Sequence, residues 1–475
     1  MKRFLGWKWL LFITSAGFSG LFHSSLTAGT VFSRIEVDLP PLVYGSIAWG
    51  DLNNDSRQDL LITGADGSFA PISRVVRNLG NGVFTNLNLA LPGVSSGSVA
   101  WGDLHNDGNL DFLLTGFSGT GSNGFPVYVS EIWRNGTDGN FQKVAVNLPG
   151  INSGAVAWAD FDNDGNLDFL LTGYNGSGGI SQVWRNNGSG GFSNLNAGLT
   201  GVFYSSVARA DFDNDGYLDI FLTGTTNGFL NGVVCELWRN SRDGKFTNMA
   251  SSLPAVSQGS VAAGDFDNDG KIDIFITGYS ASGPISQIWR NQGNGAFTNW
   301  NAGLTGVYQS SVALGDFDND GLLDILLSGM DAASNAVSQV WRNMGAGTFT
   351  NLNETLPGVR SGSSTWGDYD GDGKLDILLT GLDATNNPVL HLFRNNTALR
   401  NSTRPLLSNP NQFPSGERLV SFSGKTAFGY TVLGSTNLNS LTWTTLGPAQ
   451  EANPGTFKFT DKTNFPTRFY RISTP

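Results

Sequence analysis

Asp160-Phe161-Asp162-Asn163-Asp164-Gly165-Asn166-Leu167-Asp168 places four carboxylates at positions 1, 3, 5 and 9 of a nine-residue loop, with a glycine at position 6 where the chain must turn sharply. A hard cation such as Ca²⁺ takes six to eight oxygens, and the carbonyl of residue 7 and water can complete the shell such a loop begins. Six more copies begin at Asp51, Asp103, Asp211, Asp265, Asp316 and Asp368, 51 to 57 residues apart, and five of the seven keep D-x-D-x-D-G-x-x-D throughout. One such loop would be a weak signal. Seven at a near-constant period point to a repeat architecture as well as to a metal.

The candidate ligands of the five complete copies are Asp160, Asp162, Asp164 and Asp168; Asp211, Asp213, Asp215 and Asp219; Asp265, Asp267, Asp269 and Asp273; Asp316, Asp318, Asp320 and Asp324; and Asp368, Asp370, Asp372 and Asp376. The first copy offers Asp51, Asn53, Asp55 and Asp59, but puts Ser56 at the glycine position, where a side chain is strained. The second offers Asp103, Asp107 and Asp111, with His105 at position 3, a poor ligand for a hard ion. Up to seven Ca²⁺ are expected, with the first two sites weak or empty. The loop is not an EF-hand, because position 12 is Leu171 rather than a bidentate Glu and the flanks are not helical in pattern. Ser153 to Trp158 before the loop and Phe169 to Gly173 after it read as strands, so the loop is the tip of a hairpin.

A third landmark, W-R-N, follows at Trp133, Trp184, Trp238, Trp289 and Trp341, with Val76 and Phe393 in the outer copies, and a fourth apolar run such as Phe192 to Leu195 ends each repeat. Four strands in about 50 residues, seven times over, predict a β-propeller. A solenoid is the competing arrangement, but its coils are usually shorter. Val31 to Pro40 matches the fourth-strand pattern and has no repeat of its own, while the seventh repeat lacks a fourth strand. The N-terminal segment is therefore expected to complete the last blade and close the ring.

The repeats resemble the FG-GAP/VCBS family, which includes the head of integrin α subunits, over roughly residues 31 to 397. The motif that carries the likeness is the Asp loop followed by an apolar strand, as in Gly264 to Ile274. The resemblance implies a structural Ca²⁺ in each loop, on the lower face of the propeller. The family's Phe-Gly and Gly-Ala-Pro elements are poorly kept, and Leu113-Leu114-Thr115-Gly116 stands near their place. Integrin-like recognition is not implied.

The expected organisation is a signal peptide over 1–29, a seven-bladed propeller over 30–399, a linker over 400–413 and a small β-sandwich-like domain over 414–475. Lys2, Arg3 and Lys8, an apolar stretch from Leu10 and small residues at Thr27-Ala28-Gly29 carry the first assignment. No further segment reads as membrane-spanning. The C-terminal segment resembles modules that end secreted or surface proteins of environmental bacteria, through Ser435 to Leu438, Trp443 to Leu446, Phe457 to Asp461 and Arg468 to Arg471. Two-thirds of the 39 acidic side chains lie in the seven loops, so the net charge of −11 is a property of sites and implies no basic partner. No nucleic-acid partner is expected, and the single Cys235 is expected as a buried thiol.

Two classes of function compete. The first is a secreted or surface-associated, non-enzymatic scaffold that binds an extracellular glycan or protein. Its recognition residues would lie opposite the acidic hairpins, at inter-blade corners (Tyr44, Phe203, Tyr204, Gln258, Tyr308, Gln309, Arg360) and at the start of the strand 2–3 loops (Phe117, Tyr174, Tyr279), with Tyr204 and Tyr308 foremost. The second is a propeller-fold polysaccharide lyase or hydrolase. Three histidines and 13 acidic residues outside the loops give it little material, and no nucleophile or metallohydrolase motif is present.

Overall fold

The computed structural model describes residues 30–397, apart from 137–139, 229–230, 243, 250–251 and 294, together with the strand segments between 406 and 473. The signal segment assigned to 1–29 and most of the 400–413 linker lie outside the described residues. Seven four-stranded antiparallel sheets follow one another along the chain. The third is typical, with strands Asn152–Ala159, Asp168–Tyr174, Gly179–Asn186 and Phe192–Asn194 paired in that order. The first strands of neighbouring blades approach each other around the centre, and the ring returns from blade seven to blade one. This is the predicted seven-bladed propeller.

Closure follows the sequence expectation in a shortened form. Phe32–Ile35 pairs antiparallel with Pro388–Asn395 as the outer strand of blade seven, in the register Phe32 to Asn395 and Ile35 to Leu392. The remainder of the segment is not strand. Val37 and Leu39 instead pack, together with Ile35 at the strand's end, against the core between blades seven and one.

The cores lie between blades rather than at the axis. Among the described residues, every blade junction holds a large cluster of buried side chains. Second strands are buried on both faces, which explains their uninterrupted apolar runs. In blade one, Leu60 and Ile62 enter the junction with blade seven, and Leu61 enters the junction with blade two. The next blade repeats this with Phe112 and Leu114 on one side and Leu113 on the other.

Blade contacts also explain a pattern along the first strands. Trp101, Trp158, Trp366 and Trp49 lie against Gly50, Gly102, Gly315 and Gly367 of the preceding blades, where a Cβ would approach the indole within 3.0 Å. Trp101 Nε1 donates to Ala48 O at 3.1 Å and Trp158 Nε1 to Ala100 O at 3.1 Å. Blades three and four carry Ala159 and Ala210 at the glycine position, and the first strands that follow carry Arg209 and Ala263 in place of the Trp.

In the C-terminal region, Arg418–Ser423 pairs with Leu406–Leu407, Asn411–Gln412 and Thr456–Asp461, and Gln450–Asn453 extends that sheet. Thr431–Ser435 lies between Thr444–Pro448 and Phe469–Ser473. The sandwich expected there rests largely on residues outside this description. Among the described residues no helix is long and apolar enough to cross a membrane.

Candidate functional site

Each acidic loop joins the first and second strands of its blade, so all seven project from one face of the ring. In blade three, Asp160 folds the loop back on itself: Oδ1 accepts from Asp164 N at 3.1 Å and Oδ2 from Gly165 N at 2.9 Å. Asn163 at position 4 takes a left-handed conformation, φ 57°, which Asn tolerates better than most residues. Its amide donates to Gly216 O of the next loop at 2.8 Å. The same link runs from Asn54 to Gly108, Asn106 to Gly165, Asn214 to Gly270 and Asn268 to Gly321. The loops therefore form a chain around the lower face.

Asp168 at position 9 is fully buried, with Oδ2 accepting from Phe161 N at 3.0 Å and Oδ1 from Asn186 N at 2.8 Å. Every blade repeats this pair of bonds with its own Asp and the Asn of W-R-N, or its equivalent. Position 9 thus pins the loop to the third strand. Burial, with repulsion from the loop carboxylates, pushes Asp168 up to about 7, Asp59 to about 6 and Asp324 to about 8, even against these hydrogen bonds.

The Arg of W-R-N has a role the sequence reading did not assign. Arg185 Nε lies 2.6 Å from Asp162 Oδ2 and its Nη2 3.4 Å from Asp164 Oδ2. Arg239, Arg290, Arg342 and Arg394 bridge positions 3 and 5 of their own loops in the same way. The i-to-loop spacing of about 21 residues held this signal, but its meaning needs the strand pairing. The Asn completes the motif: Asn240 Nδ2 donates to Phe161 O of the preceding blade at 2.7 Å.

Five loops bring three carboxylate oxygens within 4.8 Å of one another. In blades three and seven these belong to positions 1, 3 and 9 (Asp160, Asp162, Asp168; Asp368, Asp370, Asp376); in blades four, five and six to positions 1, 3 and 5. Arginine takes one oxygen of the position 3 carboxylate and leaves the other: Asp213 Oδ1 is buried and accepts no hydrogen bond. An all-oxygen donor set with such an orphaned acceptor fits a hard cation.

Among the described residues, blades one and two show no such triad. Ser56 has φ 69°, as its position demands, and Arg57 pairs with Asp55. Asn53 spends its amide on Asp55 at 3.1 Å. Although burial opposes ionisation, hydrogen bonds from Arg57 and Asn53 hold the Asp55 carboxyl below its ordinary range. In blade two, His105 Nδ1 lies 3.3 Å from Asp111 Oδ2, so the imidazole serves the position 9 carboxylate instead of a metal.

The antiparallel order puts the corners and strand 2–3 loops on the opposite face, around the mouth of the central channel. Seven corner residues line it: Tyr44, Ser96, Ser153, Tyr204, Gln258, Gln309 and Ser361. All have φ between 46° and 53°, and a backbone bond passes from blade to blade, with Ser96 N donating to Tyr44 O at 2.6 Å, Ser153 N to Ser96 O at 2.6 Å and Tyr44 N to Ser361 O at 2.7 Å.

This geometry corrects one expectation. Tyr308 is not the counterpart of Tyr204. It corresponds to Phe203, one residue earlier, and Gln309 takes the place at the mouth, because the bulge at the start of the strand sends successive residues to different sides. Tyr308 is half-buried and packs edge-on to Tyr279 at 5.1 Å. Arg360 is also engaged, donating to Gln309 Oε1 at 3.3 Å and to Asn386. Phe117, Tyr174 and Phe203 belong to a continuous row of rings running Phe117, Tyr128, Tyr174, Phe203, Tyr204, with centroids 5.3 to 6.4 Å apart. Tyr128 comes from the blade-two insertion, which continues the hairpin as strands Asp111–Thr120 and Pro126–Asn135.

Other ionisable groups have structural partners. Glu131 accepts from Trp133 Nε1 and pairs with Lys143, and Glu236 accepts from Trp238 Nε1 and Thr200. His391 is half-buried against Phe393. Burial pushes the Cys235 thiol up to about 12.

A family model for the FG-GAP-like repeat matches residues 51–114, 160–222, 231–276, 265–327 and 331–379, more than half of the chain. Cartilage acidic protein 1 of Xenopus tropicalis is 26% identical over 408 residues, covering 76% of this chain and 60% of that protein. T-cell immunomodulatory protein of Rattus norvegicus is 26% identical over 191 residues, covering 38% of this chain and 30% of that protein. The chain thus spans 60% and 30% of the lengths of these two relatives. Among solved structures, the V. cholerae biofilm matrix protein Bap1 aligns with a TM-score of 0.34 at 13% identity, over 94% of this chain and 65% of that one. The Dos1 propeller aligns with a TM-score of 0.36 at 11% identity, over 77% and 95%.

Proposed function

Because the chain belongs to the FG-GAP-like repeat family, we propose that it is a calcium-stabilised, non-enzymatic binding scaffold, secreted or held at a cell surface, for an extracellular glycan or protein. One observation carries this reading. The two faces of the ring are built differently: the lower face repeats the same acidic loop and the same arginine bridge, while the upper face varies from blade to blade and exposes its rings. Among the described residues, Tyr44, Phe69, Phe125, Val127 and Tyr204 are large apolar side chains exposed on the upper face, against Leu79, Val83 and Met344 on the turns of the lower one. Aromatic side chains held on a rigid frame suit recognition, since little freedom is lost on binding.

Calcium would be held by the carboxylates of the five convergent loops and would supply charge neutralisation that ties each hairpin together. Millimolar calcium outside cells suits sites of modest affinity. The secretory features of residues 1–29 agree with that setting, as does a relative named for cartilage. A propeller-fold polysaccharide lyase or hydrolase is the second reading. The structural engagement of Glu131, Glu236, His105 and Arg360 leaves it few acid–base groups.

The two readings separate in one experiment. The full chain, in calcium, is incubated with immobilised plant and algal polysaccharides and matrix proteins, and both retention and chain cleavage are measured. Retention without new reducing ends or unsaturated products is expected, weakened by Tyr204→Ala. Cleavage would select the enzyme. Retention that survives Tyr204→Ala but disappears on removal of residues 405 to 475 would move recognition to the C-terminal region.

A further inference from the structure

We propose that the mouth of the central channel is a subsite for one neutral sugar ring, entering end-on from a glycan chain; the inference deepens the binding role proposed above and rests on it. The left-handed corners are the starting point. Three blades place Ser at this position and so show what the frame needs, whereas Tyr44 and Tyr204 hold a bulky ring in the same strained backbone conformation, φ 51° and 46°. Such strain collects where function demands it. The two tyrosines are three blades apart in a ring of seven and stand on opposite sides of the mouth, 44% and 39% exposed, and among the described residues no group hydrogen-bonds either phenol.

The polar groups between them are aimed by their neighbours. Gln309 Oε1 accepts from Ser361 Oγ at 3.0 Å and Arg360 Nη1 at 3.3 Å, which leaves its amide N–H groups as donors. Gln258 Oε1 is buried and accepts nothing, an acceptor without a donor. No charged side chain lines the mouth, and the cavity is about 230 Å³. That is below the roughly 300–1,000 Å³ of pockets for drug-sized ligands, and suits a single ring.

Sugar chemistry matches each of these features. The C–H faces of a pyranose lie against aromatic rings, and its hydroxyls both donate and accept, so one ligand accepts from the Gln309 amide and, with a turn of the Gln258 side chain that brings its buried carbonyl to the channel, donates to that group as well. A peptide terminus brings a charge, and the charged side chain that touches this lining, Arg360, is already engaged by Gln309 and Asn386. An extended peptide does not enter an opening bounded by seven corners.

The test uses the full chain with calcium and small soluble probes: methyl glycosides of glucose, galactose, mannose and xylose, with glucuronic acid and a blocked dipeptide for comparison, read by saturation-transfer NMR and titration. At least one neutral glycoside is expected to bind with one-to-one stoichiometry. Tyr44→Ser combined with Tyr204→Ser should weaken it about tenfold or more, Gln258→Ala should weaken it separately, and Met344→Ser on the far face should not. The serines reproduce what other blades carry, and the calcium-dependent melting transition reports that the variant folds. Absence of binding by every neutral glycoside, preference for glucuronic acid or the dipeptide, or binding unchanged in both mouth variants would overturn the proposal. If no glycoside binds but a polymer or protein is still retained through Tyr204, the sugar assignment fails and the scaffold reading stands. If upper-face variants alter no binding at all, both fail.

Discussion

Burial decides the behaviour of the individual carboxylates. Without a cation, burial pushes Asp168, Asp219 and Asp376 to about 7 and Asp324 to about 8, with the neighbouring loop carboxylates adding repulsion. An unfolded chain releases these protons near the ordinary carboxylate value, so between that value and about 8 the folded chain holds protons the unfolded one has lost. Stability contributed by these groups is then complete below the ordinary carboxylate value and falls as pH rises from there to about 8. In EDTA the melting temperature is expected to fall from pH 5 to pH 8, while in excess calcium it changes little, because the cation replaces the protons. An EDTA melting temperature that rises across this window would contradict the account. Single sites should also separate. Asp269→Ala removes one of the three converging carboxylates of blade five and is expected to lower the calcium-loaded midpoint by roughly 2–4 °C, with a smaller loss in EDTA, where only its exposed pairs with Arg290 and Lys271 are missing. Asp107→Ala should matter less, since His105 already diverts its loop.

Among the elements, the third strand carries more than its packing. Its Trp-Arg-Asn end ties the strand to its own loop through Arg and position 9, and to the preceding blade through Asn. Asn240 is buried and also donates to Leu218 O at 3.1 Å, while its Oδ1 accepts from Arg242 N. Asn240→Ala leaves Phe161 O without its donor inside the ring and is expected to cost about 1–3 kcal/mol. The loss should be the same with calcium or EDTA, which distinguishes a blade tie from a metal ligand. Equal melting of the variant and the parent protein would show that this bond contributes nothing. W-R-N was plain in the sequence as a repeated string. Its partners were not, because they lie about 20 and 80 residues away and are brought near only by the blade and by the ring.

For the molecule as a whole, closure depends on four residues from the start of the propeller. Phe32 packs against Phe317 at 5.8 Å and Trp366 at 6.0 Å, and its strand covers the outer edge of blade seven. A chain lacking residues 30 to 40 is expected to lose cooperative melting and to self-associate through the exposed strand edge. Deletion of residues 405 to 475 should leave the propeller transition in place. If the first deletion melted as the full chain does, closure by Phe32–Ile35 would not be what holds the ring.

The sequence by itself determined the number of blades, the four strands of each, the lower-face loops and the two defective copies. These are written locally, in a nine-residue ligand pattern and in apolar runs that each strand satisfies with its immediate neighbours. Even closure was legible, since a missing strand at one end matched a spare one at the other. The upper face was decided only by the tertiary structure. Whether Tyr204 or Tyr308 reaches the channel depends on a bulge of one residue, and in a strand a one-residue shift moves a side chain to another side. The aromatic row from Phe117 to Tyr204 and the facing of Tyr44 with Tyr204 join residues that are distant in the chain, and only the curvature of the ring makes them neighbours.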